Sequence, residues 1–181
     1  KYSSHHVGSP LDNIANTCLN CHQDSEESFR ALVEQKLQRK DELSNAAMDA
    51  LARAHLEAAK AWELGATEAE MQSALQDIRR GQWRWDFAAA SHGAFFHAPE
   101  EGLRLLAGAV NYGQQARIKL RAVLAKYGAG DYQVPDFSTK EKAQALAGID
   151  LAKESAEKTR FLDTLRAEWF KQAEAKGLFD P

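Results

Sequence analysis

The sequence predicts a mostly α protein organised as a bundle of long helices. Three observations carry that prediction. Helix formers such as Ala, Leu, Glu, Lys, Gln and Arg abound, while 181 residues hold only 4 Pro and 11 Gly. Apolar residues recur at three- and four-residue steps over segments much longer than a strand. Two of those segments open on Ser or Thr followed three positions later by Glu, a capping-box signature.

In chain order, residues 1–16 read as a loop-like lead-in, with a turn at Gly8, Ser9 and Pro10 before Leu11 and Ile14. It carries an adjacent pair, His5 and His6. Asp24 or Ser25 can cap a first helix that opens on Glu26 and Glu27. Phe29, Leu32, Val33, Leu37, Leu43, Ala47, Leu51, Ala54, Ala58 and Trp62 then mark one apolar side until Gly65. A rod of about 40 residues, apolar on one side, needs a partner helix from its own chain or another subunit. Thr67-Glu68-Ala69-Glu70 opens a second helix that ends in the ring-rich run Gln82-Trp83-Arg84-Trp85-Asp86-Phe87. Those rings suit core packing or the wall of a flat cofactor. Pro99 with Glu100 and Glu101 starts a third helix, ending at Tyr127 and Gly128. Residues 131–137 form a linker with Pro135. Ser138-Thr139-Lys140-Glu141 reads as the capping box of a fourth helix running to about Lys176, its alternating charges a solvated face.

The chemistry is concentrated in Cys18-Leu19-Asn20-Cys21-His22. A C-x-x-C-H run is the attachment signature of a c-type haem: two thiols reach two vinyl groups, and the next imidazole ligates the iron. The chain has 2 Cys, both in this motif. A zinc site would need ligands that no second Cys pair supplies. A thioredoxin-like pair expects a βαβ setting, and a structural disulfide leaves His22 without a role. The fold expected is therefore a long-helix bundle packed on covalently bound c-type haems. Residues 1–23 form its haem-binding lead-in, and residues 24–181 its helices, as a single domain.

Composition excludes other classes. A net charge of -3 and a pI near 6.1 give no nucleic-acid footprint. No run of about 18 apolar residues predicts a membrane span. No nucleophilic triad or phosphate loop is legible. Haem c is attached outside the cytoplasm, so an export signal is expected, and a chain beginning at Lys1 reads as N-terminally incomplete. Six His exceed what one iron can use, which points to further haems and to electron transfer. His92 and His97, beside Phe95 and Phe96, suit either an axial ligand or a buried hydrogen-bonded role. A helical interaction module with a purely structural haem is the other class open at this point.

Several stretches go further: His5-His6-Val7-Gly8-Ser9-Pro10-Leu11-Asp12-Asn13-Ile14, Thr17-Cys18-x-Asn20-Cys21-His22, Gly65-Ala66-Thr67-Glu68-Ala69-Glu70-Met71, Gln82-Trp83-Arg84-Trp85-Asp86, Ser91-His92-Gly93, His97-Ala98-Pro99-Glu100-Glu101 and Ser138-Thr139-Lys140-Glu141-Lys142-Ala143-Gln144. Through them the chain resembles the C-terminal part of the ammonia-forming cytochrome c nitrite reductases, a periplasmic pentahaem family. The resemblance implies that Cys18 and Cys21 hold the last of five haems, with His22 as its proximal iron ligand. It implies that His5, or His6 if the register slips by one, is the distal ligand of the second haem, and His97 that of the fourth. It implies reduction of nitrite to ammonium with six electrons at an upstream haem, so no catalytic residue is expected in this segment, nor a ligand of the calcium ion expected in the full protein. It also implies a homodimer built on long helices, mainly the first and fourth. The donor would be a multihaem cytochrome or a membrane quinol dehydrogenase. A non-catalytic multihaem electron-transfer cytochrome and an octahaem nitrite or hydroxylamine-type relative are the alternatives.

Overall fold

The computed structural model describes residues 8–91 and 93–178, and its described residues form helices and turns without strands. The chain divides into two compact units, Lys1–Val134 and Pro135–Pro181.

In the first unit the lead-in is helical rather than a loop. Ser9 and Asp12 make a reciprocal capping box, and 3-10 turns span Pro10–Asn16, kinked at Asn13, and Cys18–Asn20. Helix α1, Glu26–Glu63, starts where the Ser25 hydroxyl accepts the Ser28 N–H at 3.1 Å. It ends because Gly65, at φ +89°, lets its own N–H reach Trp62 O and the Ala66 N–H reach Ala61 O, both at 3.0 Å. Helix α2, Glu68–Ala90, follows from the Thr67/Glu70 capping box. A short α3, Ala94–His97, leads into α4, Pro99–Lys126, with Pro99 at its first turn.

The three long helices pack as two parallel rods with one antiparallel between them in sequence. Ala50 meets Gly113, and the Glu57 carboxylate meets Arg117 and Arg121, so α1 and α4 rise together. Against α4, α2 runs the other way: Glu70 pairs with Lys126, Asp77 with Lys119, and the Arg84 guanidinium lies 4.7 Å from the Tyr112 ring centroid. These partners are spaced seven residues apart on both helices, the repeat of a coiled-coil-like seam.

Small residues let the backbones approach. A Cβ on Gly113 would stand 2.9 Å from Ala50 Cβ, and one on Gly81 would stand 2.8 Å from Leu51 Cδ2. Ala54, Ala58, Ala61, Met71, Ala74, Ile78, Ala116, Leu120 and Leu124 complete that core. The predicted apolar side of α1 is rotated in part, since Leu32 and Trp62 face solvent while Ala50 and Ala61 are buried. The buried Glu57 accepts from Arg117 Nε and Nη2 at 3.3 and 3.2 Å and pairs with Arg121 Nε at 3.3 Å. Lys126, the Thr67 backbone N–H and the Tyr127 hydroxyl hold the Glu70 carboxyl down at about 2.

In the second unit the predicted fourth helix is not continuous. Thr139, not Ser138, caps α5, Lys140–Leu146, accepting the Lys142 N–H at 3.3 Å. The Ser138 N–H goes instead to Asp136 at 2.8 Å, and Asp136 pairs with Lys142, which holds its carboxyl far below the usual carboxylate range. Gly148, at φ +70°, then ends the helix, and the Asp150 carboxylate caps the next by accepting the Ala152 and Lys153 N–H groups. Helix α6, Leu151–Phe161, passes through a π turn, Leu162–Arg166, into α7, Ala167–Ala175. None of the residues in α5 to α7 is buried. Among the described residues no helix is long and apolar enough to cross a membrane.

Candidate functional site

The two cysteines lie on the second 3-10 turn, at its first residue and its C-cap. The Cys18 carbonyl accepts two N–H groups, from Cys21 at 3.2 Å and from His22 at 3.0 Å. Residues three apart in a 3-10 turn eclipse one another, so the chain places both thiols on one side. The thiols are not paired with each other; Cys18 is half-buried and Cys21 exposed. The next side chain, His22, is exposed, and its ring sits 4.7 Å from the Phe29 ring at 47°.

Beneath this turn is a small apolar floor of Ile14, Phe29 and Val33, against which Leu11, Cys18, Leu19, Leu37 and Phe96 pack. Polar ties to the backbone hold the turn on that floor. Arg30 donates to Leu11 O at 2.8 Å, bridging α1 to the lead-in. Thr17 donates to Asn13 O at 2.7 Å, and Asn20 donates to Asn16 O at 2.7 Å. The Arg30 tie spans 19 residues and leaves no local signal in the sequence. Thr17 and Asn20 had only their place in the Thr17-Cys18-x-Asn20 stretch to mark them.

The short helix α3 brings a second candidate to the same floor. Phe95 is buried among Ala88 and Leu106, and Phe96 packs on the Ile14–Phe29–Val33 cluster, with Leu37 touching both groups. A Cβ on Gly102 would fall 2.5 Å from the Phe95 ring, so glycine there makes the ring's seat. Both rings point into the protein, and His97, at the end of the turn they anchor, is exposed. His5, His6 and His92 lie outside the described residues. The ring-rich run divides: the Trp85 indole N–H donates to Ser44 O at 3.2 Å and Ser44 Oγ at 3.1 Å. Trp83 and Phe87, in contrast, stack outward at 5.6 Å, with Trp83 61% exposed.

The donor set fits a c-type haem. It offers two unpaired thiols on one side of a turn, an exposed imidazole from the next residue, and an apolar floor for the ring system. Among the described residues no group of three or more His, Cys, Asp or Glu side chains converges as a metal site.

A family model described as Cytochrome c552 matches residues 1–177. Proteins named cytochrome c-552 are similar over the whole chain: 60% identical over 181 residues in Desulfotalea psychrophila, 55% over 180 residues in Maridesulfovibrio salexigens, and 51% over 181 residues in Aliarcobacter butzleri. The chain spans 36% of the length of each of these relatives.

Proposed function

We propose, from the premise that the chain belongs to the cytochrome c552 family, that it forms the haem-binding C-terminal part of a nitrite reductase that makes ammonium. The family is one of c-type cytochromes, and haem c is its cofactor. The observation that carries the reading is the Cys18–Asn20 turn. It holds two free thiols and the His22 imidazole over an apolar floor, and the His97 turn rests on that same floor through Phe96.

Bound haem c supplies an iron that accepts and gives up one electron at a time. Cys18 and Cys21 would hold it by its two vinyl groups, and His22 would ligate its iron. Phe29, tilted against the His22 ring, limits how that imidazole turns. His97, on the turn that Phe95 and Phe96 anchor, would ligate the iron of a haem that another segment attaches. His5 has the same role for a further haem. Nitrite, the calcium ion and the catalytic residues belong to segments preceding this one. The whole protein works in the periplasm as a homodimer. It takes electrons from a multihaem cytochrome or a membrane quinol dehydrogenase.

The test is made on the whole protein with a viologen donor. Ammonium formed from nitrite supports the reading. Turnover of hydroxylamine but not nitrite would move it to the octahaem-type relative, and electron transfer with neither would make it a carrier. In the same protein His97→Ala is expected to keep the haem count by mass while converting one low-spin iron to high spin by EPR. Loss of a haem would remove His97 from its assigned role.

A further inference from the structure

We propose that the side of α2 carrying Arg80, Trp83, Arg84 and Phe87, with Tyr112 of α4 beside it, seats a carboxylate brought by the part of the whole protein that lies outside this chain. This rests on the whole-protein reading above, and the experiment separates the two.

Residues 80, 83, 84 and 87 stand three and four apart and so share one side of α2. Two of them are cations. The Arg84 and Arg80 guanidinium carbons lie 4.7 and 5.9 Å from the centroid of the Tyr112 ring. Like charges four residues apart on a helix oppose each other, so a second cation at that ring calls for an anion. The acidic neighbours are already taken: Asp77 pairs with Lys119, the Asp86 carboxylate accepts from Gln82, and Glu101 pairs with Arg104. Among the described residues neither Arg80 nor Arg84 has an ion-pair partner.

Arg84 is built into the helix pair rather than loose on it. Its stem crosses α4 at Gly108, where a Cβ would stand 3.2 Å from Arg84 Cδ. Its Nη1 donates to Arg80 O at 2.8 Å. A guanidinium has five N–H donors, so four remain, enough for the two-pronged grip that a carboxylate takes. Trp83 and Phe87 extend the same side outward, both exposed and stacked at 5.6 Å. Rings beside arginines are the make-up of a contact surface that a partner covers, the rings supplying area and the guanidinium an anchor. The occupant follows from charge and length. A second copy meeting this side across a two-fold axis would set guanidinium against guanidinium. The chain spans only 36% of the length of its relatives, so most of such a protein lies elsewhere and is available to cover it. There a carboxylate has two sources, an Asp or Glu side chain and a haem propionate.

In the whole, haem-loaded protein, Arg84→Gln removes the charge, and amide exchange compares it with wild type. Exchange is expected to rise several-fold over residues 79–90 and in one segment outside this chain, with α1 unchanged. Arg84→Lys places an amine at the same position, and a carbodiimide joins that amine to a touching carboxylate as an amide. Arg79→Lys, exposed on the same helix, is the solvated control. Mass spectrometry is expected to find residue 84 joined to a peptide from outside this chain. A link through Asp or Glu names a side chain, and a link through the haem that the peptide carries names a propionate. Unchanged exchange in Arg84→Gln would overturn the proposal. So would a link no more frequent than at Arg79→Lys, or one to residues 1–181 or the haem they hold. A link between two copies, read in a mixture of isotope-labelled and unlabelled protein, would overturn it as well. Absence of ammonium from nitrite would instead overturn the function reading and leave the link standing.

Discussion

Between Ala47 and Ala61, α1 meets α2 and α4 through alanines and the glycines opposite them, and one buried carboxylate is held between two arginines. Between Phe29 and Leu37 the same helix meets the two 3-10 turns and Phe96 of α3, and Leu37 also reaches the cluster of Ala88, Phe95 and Leu106. At the first end, close backbone approach and apolar burial close the structure on itself. At the second, three side-chain ties to carbonyls hold a short turn and leave Cys21, His22 and His97 exposed. The contrast teaches that the close-packed seam and the exposed thiol and imidazole groups lie at opposite ends of one rod. A change at one end should leave the other largely intact.

The largest effect is expected at Phe95, buried between α1, α2 and α4 near Leu37 and Leu43. Phe95→Ala should cost about 3–5 kcal/mol, because the seat made by Gly102 stays open once the ring is gone. Denaturant unfolding followed by circular dichroism measures it, and a cost below about 1 kcal/mol would mean that α3 is not part of the core. Next comes the closed end. Replacing Arg117 and Arg121 together by Met removes both ion-pair partners of the fully buried Glu57 and should cost about 3–5 kcal/mol while preserving haem attachment. Loss of attachment in that variant would break the division of labour along α1.

At the open end, Arg30→Ala removes the tie to Leu11 O, worth about 1.5–3 kcal/mol as a bond to a charged donor. Amide exchange should accelerate over residues 9–22 and stay unchanged in α2 and α4. Uniform acceleration would show that the two ends unfold together. The smallest effect is a pH dependence. The folded Glu70 carboxyl sits at about 2, below its ordinary value of 4.5, so folding favours the carboxylate. Its contribution is full above about 4.5 and is lost as pH falls from there through about 2. Glu70→Gln should flatten that part of the stability profile, and an unchanged acid limb would place the effect elsewhere.

The long helices and their ends were legible because periodicity, capping boxes and Gly65 speak locally. The break at Gly148 was missed because Thr139 and Gly177 bracketed a helical pattern and a single interior glycine is tolerated in a helix. The real start was hidden in Asp150, whose capping depends on the bend before it. The C-x-x-C-H run stood out by its spacing, yet the sequence read its lead-in as a loop, since 3-10 turns lack a strong period. Arg30 and Glu57 were not legible, because each acts on residues distant in sequence. Trp83 and Trp85 sit two residues apart on one helix and so face different ways, which composition alone cannot resolve.

The pairs joining α2 to α4 recur at the same seven-residue interval on both helices, and that spacing works like a vernier. A slip of α4 by a single position would spoil all three at once and drive Gly113 off Ala50. It would also carry the imidazole just ahead of Pro99 about 1.5 Å along the rod and swing it by about 100°. If His97 ligates a haem iron as proposed, that bond would tolerate neither displacement. The teeth of that seam thus set where the His97 turn stands.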